Sequence, residues 1–367
     1  MHLKFSPLVI QTSRASIEPP LPPLDYTRFD PPPRMSASQP VRRASSPAPM
    51  PPAKAKAQKA PQPPRIFTPP VGDLAHDPAE LFDLKTKPGY YNPAAKAALL
   101  RGSKKESHDE LFVDFSRPEI QIELRADTLS LLSGNWTWQT TAAGKPLTIQ
   151  GPWSEVHWHR NDACDYLEIE LPLSHGWKLT RQMLLARRDR FFLLADALIG
   201  PTAEPVEIRH SQSLPLSPIA TLDPAHKTRE AWLVANRRRR STIVPLALPE
   251  WRSEFRHAEL SADNGNLKLD QAALGQSLYA PLWIDLDPKR LKRPLTWRRL
   301  TVAENLAIVS RDVAAAYRIQ AGRDQWLIYR SLAPGANRSV LGLNTLSSFV
   351  AARILPTGLT DEILAIE

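Results

Sequence analysis

Glu155, His157 and His159 alternate within Gly151-Pro152-Trp153-Ser154-Glu155-Val156-His157-Trp158-His159. On an extended strand these three side chains project from one face, while Val156 and Trp158 take the other. Two imidazoles and a carboxylate make a donor set for Zn²⁺, Fe²⁺ or Mn²⁺. A single divalent metal is the one cofactor that the sequence suggests. Metal-assisted lyase, isomerase or hydrolase chemistry would then centre on His157 and His159, with Glu155 or a nearby aspartate as base. The plainer reading is the polar outer face of a strand, with no cofactor.

A second group is aromatic and basic. Trp136 and Trp138 alternate across Thr137 and so share a sheet face, with Trp153 close behind in sequence. A row of exposed indoles can stack on sugar rings, and the same side chains can equally fill a sandwich core. Asn236-Arg237-Arg238-Arg239-Arg240-Ser241 holds four consecutive arginines. On a strand they would alternate between faces, so they fit a hairpin tip better. There Arg238 could grip a carboxylate or sulfate through its planar fork. An acidic glycan is the ligand these groups would suit.

The elements that must position these residues are strands. Ile120-Gln121-Ile122-Glu123-Leu124, Leu167-Glu168-Ile169-Glu170-Leu171 and Leu267-Lys268-Leu269 alternate apolar with polar. The segments 282–286, 306–309, 317–319 and 326–329 continue the series. Asn264-Gly265 is a strong two-residue hairpin signal. The spacing predicts a mainly β fold, a large antiparallel β-sandwich filling residues 111–367 as one domain. A short helix is expected from Asn92 to Gly102, with Asn92 as N-cap and Pro93 at the first helical position, so 91–110 forms helix and boundary.

The start of the chain is different in kind. Its first 70 residues hold 18 prolines and no glycine, with ten Lys or Arg against three Asp or Glu, and all ten tryptophans come after it. Such a composition cannot bury enough apolar surface to offset its ordering entropy, so residues 1–90 are expected to be a disordered Pro/Ala/Lys-rich tail. A tail of this kind could dock a protein partner that reads polyproline segments. With one cysteine, Cys164, no internal disulfide can form, and a cytoplasmic location is expected. No stretch reaches the length of a membrane span, and no motif for specific nucleic-acid binding is present.

One hairpin is more particular than the rest. Gly176-Trp177-Lys178-Leu179-Thr180-Arg181-Gln182-Met183 carries a mid-strand arginine, and Arg187-Arg188-Asp189-Arg190 turns into Phe191-Phe192-Leu193-Leu194-Ala195-Asp196. This arginine strand, turn and apolar strand ending in aspartate resembles the large β-sandwich of heparinase II/III-like polysaccharide lyases. The resemblance implies a supersandwich and adds Arg181 to the groups that could meet an anionic glycan. In that family the sandwich packs on an N-terminal α/α toroid. Here the proline-rich tail and one short helix precede it. The leading expectation is therefore a non-catalytic β-supersandwich that binds glycan or serves as a scaffold.

Overall fold

A computed structural model describes residues 89–102, 108–201, 204–254 and 258–367. The expected tail, apart from its last two residues, lies outside them. All strand pairings are antiparallel, in sheets of nine, eight, five and four strands. The nine-stranded first sheet runs Tyr90–Asn92, Ala97–Arg101, Glu110–Asp114, Ile120–Ala126, Leu129–Ala142, Val206–Pro215, Asn266–Gly275 and Ala258–Asp263, with Lys145–Pro146 attached to Leu129–Ala142. The second sheet centres on Ser277–Asp285, Phe191–Ile199, Lys178–Ala186 and Cys164–Pro172, with Ser154–Arg160 at one edge. A third holds Leu295–Leu300, Ala314–Ala321, Asp324–Ser331, Phe349–Ile354 and Thr360–Ile366.

Core packing shows how these sheets stack. One apolar cluster joins Ile122, Trp136 and Leu214 of the first sheet to Leu167, Met183 and Leu194 of the second. Another joins Leu184, Leu193 and Trp283 on the opposite face of the second sheet to Tyr317, Trp326 and Phe349 of the third. The third sheet in turn covers a small fourth one through Tyr329, Val350 and Val340. The second sheet is thus buried on both faces, which is why Phe191-Phe192-Leu193-Leu194-Ala195 does not alternate. The fold is a layered β-sandwich, as the alternation predicts. The Asn264-Gly265 hairpin forms, with both residues at positive φ (47° and 77°) between Asp263 and Asn266.

The helix expected from Asn92 to Gly102 does not form. Asn92 closes a turn instead, its Oδ1 accepting from the Ala95 amide at 3.2 Å. Ala97–Arg101 is a fully buried strand, pairing Leu99 with Phe112. Alanine and leucine favour a helix only weakly, and burial of all five residues between neighbouring strands outweighs that preference. The body therefore begins before residue 111. Its first sheet already starts at Tyr90.

Candidate functional site

The long strand Leu129–Ala142, the strand Val206–Pro215 and the strand Asn266–Gly275 lie side by side in the first sheet. Across them runs an open groove of about 850 Å³, bounded on one side by the turn that carries Pro146 to Ile149. Its lining includes Trp138, Gln139, Arg209, Ser211 and Asp270. Most of these are polar, because strand residues that face away from the core meet water. Trp138 is half-buried and packs against the core below. Arg209 is exposed and paired with Glu207 at 2.7 Å, a surface contact that holds its guanidinium only loosely.

A polar chain lies under this groove. His210 touches Thr140 Oγ1 through Nδ1 at 2.8 Å and Asp196 Oδ2 through Nε2 at 3.1 Å. Arg181 donates from Nε to Asp196 Oδ1 at 2.8 Å and from Nη1 to the Trp136 carbonyl at 2.7 Å. Its guanidinium sits over the Trp136 ring at 4.2 Å and the Trp153 ring at 5.4 Å. Burial pushes the Asp196 carboxyl upward, but Arg181 and His210 together outweigh it and hold Asp196 below the usual carboxylate range. With Asp196 ionised, Nε2 of His210 carries the proton toward it, and Nδ1 accepts from the Thr140 hydroxyl.

The sequence candidates fall into three groups. Trp136 and Trp138 both reach the groove, although Trp136 is only 1% exposed. No exposed row of indoles forms, because Trp136 is committed to the core and to Arg181. Trp153 is equally buried, donating its indole N–H to the Pro118 carbonyl at 2.8 Å. Arg181 forms a buried ion pair inside the sandwich, out of reach of a ligand. Its partner is the aspartate that ends the apolar strand, directly opposite in register, so the two marks of the hairpin meet each other.

The arginine block does form a hairpin, turning at Asn236 and Arg237 with φ of 52° and 59°. Arg239 stacks over Trp232 at 3.5 Å and pairs with Asp223 at 2.9 Å. Arg238 is exposed and is not part of the groove.

The expected metal face is broken. A β-bulge between Glu155 and His157 shifts the register, so that Glu155 pairs with Ile169 but His157 pairs with Glu168. Glu155 therefore turns to the side of Trp158 and Tyr91, where burial and its own carboxylate push the Tyr91 phenol up to about 12. His157 and His159 stay together on the other side, beside Glu168, which is committed to Arg330. Among the described residues no three His, Cys, Asp or Glu side chains gather as metal ligands. A divalent metal held by Glu155, His157 and His159 does not fit. Cys164, buried with its thiol pushed up to about 12 by burial, is a core residue.

Thr140, His210 and Gln271 were not legible as site residues. Their strands carry polar side chains at inward positions, which hides the alternation that would mark them.

No protein-family model and no curated protein matches the chain. Solved structures do, at low identity. The heparan sulfate lyase HepC from Pedobacter heparinus is 11% identical over 68% of this chain and 43% of that one, with a TM-score of 0.48. The heparinase III BT4657 gene product is 8% identical over the same shares, with a TM-score of 0.43. The likeness to heparinases is weak and partial. The chain spans less than half the length of those structures.

Proposed function

We propose that the protein is a non-catalytic module that binds an acidic glycan along the groove of the first sheet. The observation that carries this reading is the groove itself. It offers a half-buried indole, several hydrogen-bonding side chains on adjacent strands and a loosely held guanidinium, Arg209. Sugar hydroxyls need planar donors and acceptors at close spacing, and ring C–H faces pack on an indole. A uronate or sulfate group would draw Arg209 away from Glu207. The proline-rich residues 1–90 would tether this module to a protein partner.

Calorimetric titration with a heparan sulfate hexasaccharide tests the reading. Binding should be saturable and weaken about tenfold in Trp138→Ala, the scale of one lost aromatic stacking contact. Arg209→Gln should weaken it by a smaller factor and flatten its salt dependence. Equal affinity in all three proteins would remove the groove from consideration.

A further inference from the structure

The groove of the first sheet carries little free positive charge. Arg209 is paired with Glu207, and Glu119 and Asp270 line the same walls. The hairpin formed by Ala231–Ala235 and Arg238–Pro245, toward one edge of the second sheet, is the reverse. Arg237, Arg238, Arg239 and Arg240 follow one another there, and Asp223 is the one carboxylate that contacts them among the described residues.

A bulge gathers two of these arginines. Ser241 pairs with Leu233 and is buried with it against the first sheet, whereas Arg239 pairs with Val234, so Arg240 is one residue too many for the register. Next to the inward Ser241, Arg240 takes the opposite face of the strand. Arg239, across from Val234, takes that same face. Trp232 and Asp223 share it: Arg239 lies over the Trp232 ring at 3.5 Å and pairs with Asp223 at 2.9 Å. Arg240 donates its Nε to the Ala235 carbonyl at 3.3 Å, and its two Nη groups meet no partner among the described residues.

The turn adds two more cations. Asn236 and Arg237 have φ of 52° and 59°, the left-handed region that Asn264 and Gly265 also occupy in their hairpin. At the second turn position glycine enters that region without strain and arginine does not. Arg237 and Arg238 are exposed, and neither side chain has a partner among the described residues. Guanidiniums crowded in this way repel one another until an anion joins them, and their planar forks match the oxygens of a sulfate or carboxylate. The ring at the tip, Trp232, already has Arg239 over it, which disfavours stacking by a nucleobase.

We propose that the hairpin of residues 235–241 is a second anchor for the acidic glycan, gripping sulfate groups with its arginine forks. The assignment rests on the glycan reading of the groove and divides the labour: sugar rings lie in the groove, and charge is read at the hairpin.

The test is calorimetric titration of the full chain, at several salt concentrations, with a long heparan sulfate chain and with a single-stranded oligonucleotide of matched charge. Arg237→Gly combined with Arg238→Gln should weaken glycan binding about tenfold, the scale of two exposed ion pairs, and flatten its salt dependence. The urea midpoint should not fall, because glycine relaxes the turn, so lost affinity would not be lost folding. The oligonucleotide should bind much more weakly than the glycan. Unchanged glycan affinity in the double variant overturns the proposal, and so does an oligonucleotide that binds as tightly as the glycan. Loss of affinity in the double variant with none in Trp138→Ala would keep the hairpin and remove the groove. The opposite pattern would remove the hairpin and leave the groove standing.

Discussion

The two faces of the second sheet carry two buried polar networks, and they are wired differently. On the face toward the first sheet, Arg181 and Asp196 belong to adjacent strands of the same sheet. Contact across the layers is made by a carbonyl, that of Trp136, and by His210. On the face toward the third sheet, the ion pair itself crosses: Arg330 of the third sheet donates to both oxygens of Glu168 in the second, at 3.1 and 2.6 Å. Tyr166 donates to the same Glu168, Gln182 donates to Tyr166 at 2.7 Å, and Tyr279 donates to Gln182 at 2.9 Å. The first network leads to an open groove through the His210 imidazole. The second is tied to its neighbour by charge. It is a strut, and the other is the part of the sandwich a ligand could sense.

If that contrast is right, the largest effect should come from Glu168→Ala. Removing one partner of a buried pair leaves an uncompensated charge, which typically costs about 3–5 kcal/mol. Among the described residues Arg330 has no compensating carbonyl or ring, and its Nε is already buried without a partner, so the upper part of that range is expected. Urea unfolding of the parent and the variant measures it. The double change Glu168→Leu with Arg330→Met should recover most of the loss, because apolar replacements of both partners remove the stranded charge. Asp196→Ala should cost less, toward about 3 kcal/mol. Arg181 keeps the Trp136 carbonyl and two indole faces after its partner has gone. If Asp196→Ala proves the more damaging of the two, the wiring argument fails.

Next in size is His210→Leu. Asp196 would remain paired with Arg181, and only the Thr140 hydroxyl and one carboxylate oxygen would lose a partner. A loss of about 1–2 kcal/mol follows, on the scale of one or two buried hydrogen bonds. Glycan affinity should change with it, since His210 lines the groove. The matching disturbance on the other face, Tyr279→Phe, should leave glycan affinity alone. A change of glycan affinity in Tyr279→Phe would blur the division between strut and sensor.

These networks also show what a sequence conceals. The β-sandwich was legible from alternation in segments such as 120–124 and 267–269, but the third layer was not: 167–171 alternates as if one face met water, while Glu168 is buried against Arg330 of the third sheet. The hairpin at Asn264-Gly265 was legible because only a few residues tolerate positive φ. The strand Val206–Pro215 was not, since two of its inward residues, His210 and Gln212, are polar and are drawn inward by partners across the layers, Asp196 and the Ala280 carbonyl. The helix read into 92–102 came from local preference, which five buried strand residues override. A one-residue bulge at Val156 moved Glu155 to the opposite face from His157. Nothing local announces such a bulge, and a face predicted from period two is lost with it. Arg181 and Asp196 were read as a mark of the hairpin, but their meeting depends on a register that pairs them directly.

The smallest effect expected is the dependence of stability on acid, and it isolates Asp196 best. Its folded carboxyl lies below the usual range, so the stabilisation it gives is fully present above the unfolded value of about 3.9 and is lost as pH falls through the folded value. Asp165 and Asp285 act in the opposite sense. Burial raises both, despite Arg187 and Arg290, so their folded forms take up protons earlier than the unfolded chain and gain relative stability as pH falls toward 3.9. The acid limb of the parent protein is therefore a sum of opposed slopes and says little alone. The difference between parent and Asp196→Asn removes the shared terms. Measured as urea midpoints from about pH 6 down to pH 2, that difference should be constant above about pH 5 and shrink steadily below pH 4. A difference that stays constant to pH 2 would mean Asp196 is not held ionised by Arg181 and His210, and the network under the groove would lose its charge.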